Sequence, residues 1–215
     1  MSDITGEAAA ISAETDKQGQ AERDFARLNT DAFQHGGAAT AVLALWLSLV
    51  GSISEDASFL VQLVAVGSGF FGGSLLAFLA HEWGHFAGAR ISGAISPVLK
   101  ERRSFFMFNF KTAQNTRSQF LAMSIGGPTG NWLLVLIVLL ALPWGSLAHA
   151  ALLATVLGVA INVCVFEFPV IARVSHGSDP AETVEARLQE TRGQGLQSNF
   201  GLMTGALVFV LLALL

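Results

Sequence analysis

His81, Glu82 and His85 stand in the order H-E-x-x-H at the end of a long apolar run. On a helix the two histidines are one turn apart and face the same way. Their neutral imidazoles can then hold one Zn²⁺, and Glu82 between them can take a proton from a water that the metal activates. Two imidazoles and a carboxylate in a stretch apolar enough to span lipid are expensive, so chemistry is the default reading. The bland alternative is a pair of histidines packed at a helix end near the interface, with Glu82 in solvent.

The chain that must position this motif is built for lipid. Of its 215 residues, 52% are apolar and 13% charged, about half the charged share of a soluble domain. The mean hydropathy of +0.55 agrees, and the length suits one membrane domain. The fold expected is an all-α membrane protein of about five transmembrane helices. Residues 1–36 are polar and poor in large apolar side chains, which predicts a disordered tail ahead of a membrane domain over 37–215. The same residues lack the apolar core of a cleavable signal peptide. Cys164 is the single cysteine, so neither an intramolecular disulfide nor a Cys-type zinc site is expected.

Five apolar segments follow one another: Gly37 to about Ile53, Phe59 to about Ala89, Phe120 to Pro143, Leu147 to Ala172 and Phe200 to Leu215. The second is the longest and carries the motif. Its Gly69-x-x-x-Gly73 and Gly84-x-x-x-Gly88 spacings permit close helix approach. Between the second and third segments, Ser104–Phe110 is aromatic and too short to cross, which predicts a short membrane-associated strand or hairpin. Two readings of it stay open: an interfacial aromatic anchor, or an edge strand over Phe105–Phe110 that pairs with an extended substrate. The third segment is interrupted by Gly126-Gly127-Pro128-Thr129-Gly130-Asn131, read as a helix break. A break at membrane depth is tolerated only against protein or a wet cavity. The fourth carries Asn162 and Glu167 ahead of Pro169, and Pro180–Glu190 reads as a further short helix.

With five crossings, the tail and the two long polar loops share one side, and all twelve Lys and Arg residues fall there. The positive-inside rule makes that side, and the N-terminus, cytoplasmic. Measured from Arg90, Arg117 and Arg173, the H-E-x-x-H motif, the Gly127–Asn131 stretch and Glu167 all lie in the cytoplasmic third of the bilayer. Three segments with polar groups at one level imply one shared cavity.

His81-Glu82-Trp83-Gly84-His85 ending one membrane helix, followed by Gly127-Pro128-Thr129-Gly130-Asn131 in a later one, resembles the site-2 protease family of intramembrane zinc metalloproteases. The resemblance covers roughly Gly67 to Arg173. It implies a Zn²⁺-dependent endopeptidase that cleaves transmembrane or membrane-anchored proteins near the cytoplasmic face, in regulated intramembrane proteolysis. One departure matters. The family's third ligand is usually an Asp in an Asn-x-x-Pro…Leu-Asp-Gly-like stretch, and here the comparable stretch, Asn162 to Val170, has no Asp-Gly. Glu167, an oxygen donor at the right depth, is the first choice for that ligand. Asp179, whose bland reading is a helix N-cap, is the second, His176 the third, and a site with no third protein ligand stays open.

The resulting expectation has His81, His85 and Glu167 on zinc, with Glu82 as general base and then proton donor to the leaving amine. Asn131 either donates to the oxyanion or substrate backbone, or satisfies the backbone of its own interrupted helix. The partners expected are a transmembrane protein substrate and the lipid bilayer, with no nucleic acid; glycine spacings leave the oligomeric state open. Single-domain size and the absence of a transit peptide fit a bacterial inner membrane. A catalytically silent member of the same fold that binds transmembrane partners is the alternative, and an ion transporter has little support because no internal repeat is visible.

Overall fold

The computed structural model describes residues 3–53, 58–99, 108–141, 145–192 and 199–214, with side chains from residue 24 onward. Its helices are α1 (Asp3–Gly51), α2 (Phe59–Ile91), α3 (Arg117–Ala141), α4 (Leu147–Ser175), α5 (Pro180–Arg192) and α6 (Phe200–Ala213). Four stretches are long and apolar enough to cross a bilayer: Asp24–Gly51 within α1, and all of α2, α3 and α4. They mark a membrane protein. The expected fifth crossing is not shown: among the described residues α6 has 14, short of the roughly 20 that a crossing needs.

α2 sits at the centre, packed against α1, α3 and α4. Lipid supplies no hydrophobic drive between helices, so contact depends on close van der Waals fit. The two glycine pairs of α2 serve different neighbours. A Cβ on Gly69 would lie 2.7 Å from the Ala148 carbonyl, and one on Gly73 2.9 Å from Thr155 Cβ, both on α4. Gly84 and Gly88 lie against the backbone carbonyls of Gly126 and Ala122 on α3. In the half away from the motif, Trp46, Leu76, Val135, Leu152 and Val156 close the core.

Two expectations fail in this frame. The Gly126–Asn131 stretch does not break its helix: α3 runs unbroken through it, with Pro128 inside. The glycines there are contact surface, pressed backbone to backbone on α2. The segment over 3–36, expected as a disordered tail, is described as helix, since α1 starts at Asp3. Its Ala, Glu, Gln and Lys residues favour helix even where they cannot bury a core. Docking then holds the described part. Asp24 is buried, with Oδ2 accepting from Arg90 Nη2 (2.8 Å) and Oδ1 from the Val98 N–H (3.2 Å), and Trp83 Nε1 donates to His35 Nδ1 (3.2 Å).

The expected strand or hairpin falls largely outside the described residues, which resume at Phe108. Among the described residues there is no strand, only an isolated antiparallel bridge between Val98 and Phe108. The Asn109 N–H donates to Pro97 O (2.9 Å) and the Lys111 N–H to Ile95 O (3.1 Å). Pro97 has no hydrogen to return, and the Ile95 N–H is taken by Asn115 Oδ1 (2.7 Å), so the pairing does not grow on this side.

Candidate metal centre

α2 presents His81 and His85 on the face turned to α3 and α4, and α4 brings Glu167 to them. The His81 and His85 Nε2 atoms are 3.0 Å apart, and Glu167 Oε1 is 3.2 Å from the first and 3.1 Å from the second. The side chains are largely buried, at 17%, 13% and 13% exposure. These three residues form a group able to hold a metal ion.

The hydrogen bonds behind the imidazoles define which atoms face the centre. His85 Nδ1 lies 2.8 Å from the Met123 carbonyl, which only accepts, so Nδ1 carries the hydrogen. Asn131 donates through Nδ2 to the Ala77 carbonyl (2.8 Å), which turns its Oδ1 to His81 Nδ1 (3.0 Å). His81 therefore also donates from Nδ1. Both Nε2 atoms are left to meet each other and a carboxylate oxygen. Three such atoms stand 3.0–3.2 Å apart only with protons shared among them or with a cation between them.

α3 makes room for this triangle. A Cβ on Gly127 would lie 2.5 Å from His85 Nε2 and 2.7 Å from His81 Cε1, so glycine is what lets the rings reach the centre. Pro128, next in the chain, has no N–H for the Ser124 carbonyl, and the adjacent Met123 carbonyl is the one that orients His85.

A cavity of about 500 Å³ opens from the centre. Glu82, buried, lines it together with His85 and Glu167. Its walls are Phe108, Phe110, Phe120 and Phe166, closed by Val184 and Leu188 of α5. A second cavity, about 620 Å³, lies between α2, α4 and α6 and includes Asn162 but none of the three clustered residues.

Of the residues singled out in the sequence, His81, Glu82, His85 and Glu167 meet at one place. Asn131 is there too: its Oδ1 meets His81 Nδ1 and its Nδ2 donates to the Ala77 carbonyl, so it orients an imidazole and ties α3 to α2. Asp179 instead caps α5, accepting from the Glu182 N–H (3.0 Å), and His176 is exposed at the end of α4, bonded to Ala172 O (2.7 Å). Gly127, the Met123 carbonyl and the α5 wall were not anticipated. Gly127 lies inside the Gly-Pro-Thr-Gly-Asn motif, where the residue code suggests a helix break and not a contact; a backbone carbonyl leaves no mark in that code.

Compared with protein-family models, with curated proteins and with solved structures, the chain gives no match.

Proposed function

We propose that the chain is an intramembrane zinc metalloprotease, acting on transmembrane or membrane-anchored proteins near the cytoplasmic face. The observation that carries this reading is the triangle of His81 Nε2, His85 Nε2 and Glu167 Oε1 with buried Glu82 on the same cavity. Two donors on a tetrahedral ion with bonds of 2.0–2.1 Å stand about 3.3 Å apart, close to the 3.0–3.2 Å edges here. Two histidines and a glutamate are also a donor set of catalytic zinc, three protein ligands with the fourth position open. Zinc so held would polarise the scissile carbonyl and lower the pKa of a water.

The chain's own residues supply the rest. Asn131 and the Met123 carbonyl fix the tautomer and orientation of the two imidazoles. Glu82 takes the proton of the attacking water and returns it to the leaving amine. The aromatic walls accept apolar side chains of an unwound substrate and keep bulk water away from the reacting carbonyl. In this reading the basic loops face the cytoplasm by the positive-inside rule, and the mouth of the cavity and the N-terminus share that side.

Glu82→Gln is the direct test, with the purified full chain and a membrane-anchored substrate carrying an apolar juxtamembrane segment. The expected result is about one zinc per chain in both proteins and a loss of cleavage of about 10²-fold or more in the variant. Full cleavage by Glu82→Gln would sink the mechanism. Zinc bound with no cleavage by the wild-type chain across a substrate panel would favour the silent, partner-binding alternative.

A further inference from the structure

Pro169 lies inside α4, two residues beyond Glu167. Its ring nitrogen carries no hydrogen, so the Val165 carbonyl, one turn earlier, has no helical donor. A carbonyl freed at membrane depth needs another partner. Arg187 of α5 supplies it: Nη2 donates to Val165 O at 2.7 Å and Nε to Phe166 O at 3.3 Å. The Phe166 carbonyl belongs to the peptide unit that carries the Glu167 nitrogen. The guanidinium thus grips the backbone at the residue that completes the triangle.

Arg187 is itself held. Its side chain is 12% exposed, and Nη1 pairs with Glu190 Oε2 (3.1 Å), while Glu190 Oε1 accepts from Arg173 Nη1 at the end of α4 (2.8 Å). A guanidinium offers several donors in a fixed plane and serves two carbonyls and a carboxylate together; an ammonium does not hold that geometry. On the same helix Val184 and Leu188 close the cavity.

We propose that Arg187 is a positioning residue for Glu167: it replaces the helical donor that Pro169 removes and so fixes the turn of α4 that presents the carboxylate. This inference rests on the reading of His81, His85 and Glu167 as a metal site. It makes α5 part of the centre's support, where a helix that merely covers the cavity would leave metal binding unaffected.

The test measures zinc affinity, and the visible absorption of the Co²⁺-loaded form, in the detergent-solubilised full chain. Arg187→Met is expected to weaken zinc binding by about 10–100-fold and to shift the cobalt bands, with Arg187→Lys recovering part of the loss. Pro169→Ala returns an N–H to the Val165 carbonyl, so Arg187→Met should cost much less in that background. The double variant also serves if Arg187→Met alone does not fold. Wild-type affinity and spectrum in Arg187→Met, or an equal loss in both backgrounds, would overturn the proposal. Glu167→Ala, run alongside, separates the two failures. If it loses zinc while Arg187→Met does not, the centre stands and the inference falls; a wild-type chain that binds no metal removes both.

Discussion

α3 and α4 each carry a proline within a membrane-crossing length, and each serves the same centre, yet by different means. α3 acts at backbone distance: its glycines lie on the carbonyls of α2, and Gly127 leaves the space the imidazoles occupy. α4 reaches in with one long side chain, and the backbone under that side chain is held from outside by Arg187. Two of the three clustered groups therefore depend on how closely two helices approach, and the third on a polar clamp from a separate helix. A close-packed contact tolerates almost no added volume, whereas a clamp can weaken by degrees.

Substitutions on the two sides should break this contrast unequally. The largest effect is expected from Gly127→Ala, whose methyl would stand 2.5 Å from His85 Nε2. The methyl would meet the two imidazole rings, which Asn131 and the Met123 carbonyl hold in place, so the rings must leave the centre, and zinc affinity measured by competition with a chelator should fall by more than about 10²-fold. Asn131→Ala comes next. It frees His81 Nδ1 and the Ala77 carbonyl together, and a loss of about 10–100-fold in zinc affinity is expected, with His85 still oriented by Met123. If Asn131→Ala instead keeps wild-type affinity, the orientation of His81 comes from packing alone, and the contrast between α3 and α4 narrows.

The smallest effect belongs to the outer end of the clamp. Glu190 is held below the ordinary glutamate range, first by its hydrogen bond with Arg173 and then by that with Arg187. A carboxyl with a depressed folded-state pKa adds stability that is complete above its unfolded value and is lost as pH falls through the folded one. Thermal unfolding followed from neutral pH into acid should therefore show a shallow loss below the ordinary glutamate range, and Glu190→Gln should flatten that part of the curve. Because the group is at the surface, added salt should shrink the difference.

The features legible in the sequence were those with a local signature. H-E-x-x-H announces two aligned imidazoles whatever surrounds it, and an acidic residue in an apolar run announces Glu167, because lipid penalises an idle carboxylate. The α5 helix was legible from its Asp-Pro start. What escaped depended on a partner far along the chain. Gly-Gly-Pro reads as a break until a second helix presses against it, and then the same residues are the contact. The residues near Asp24 read as solvated until Arg90 and the Val98 N–H, supplied from beyond α2, give the carboxylate its partners. Arg187 was one cation among twelve; only the proline beneath Phe166 distinguishes it, and only once α5 folds back over α4.

The glycine contact between α2 and α3 also bears on how the chain is made. During synthesis α2 emerges first, with two imidazoles and a carboxylate that lipid does not welcome. The space those rings require, and the Asn131 and Met123 groups that bond them, come only with α3. α2 alone would carry these groups without their partners, and the α2–α3 pair is the smallest unit in which both imidazole Nδ1 atoms are bonded.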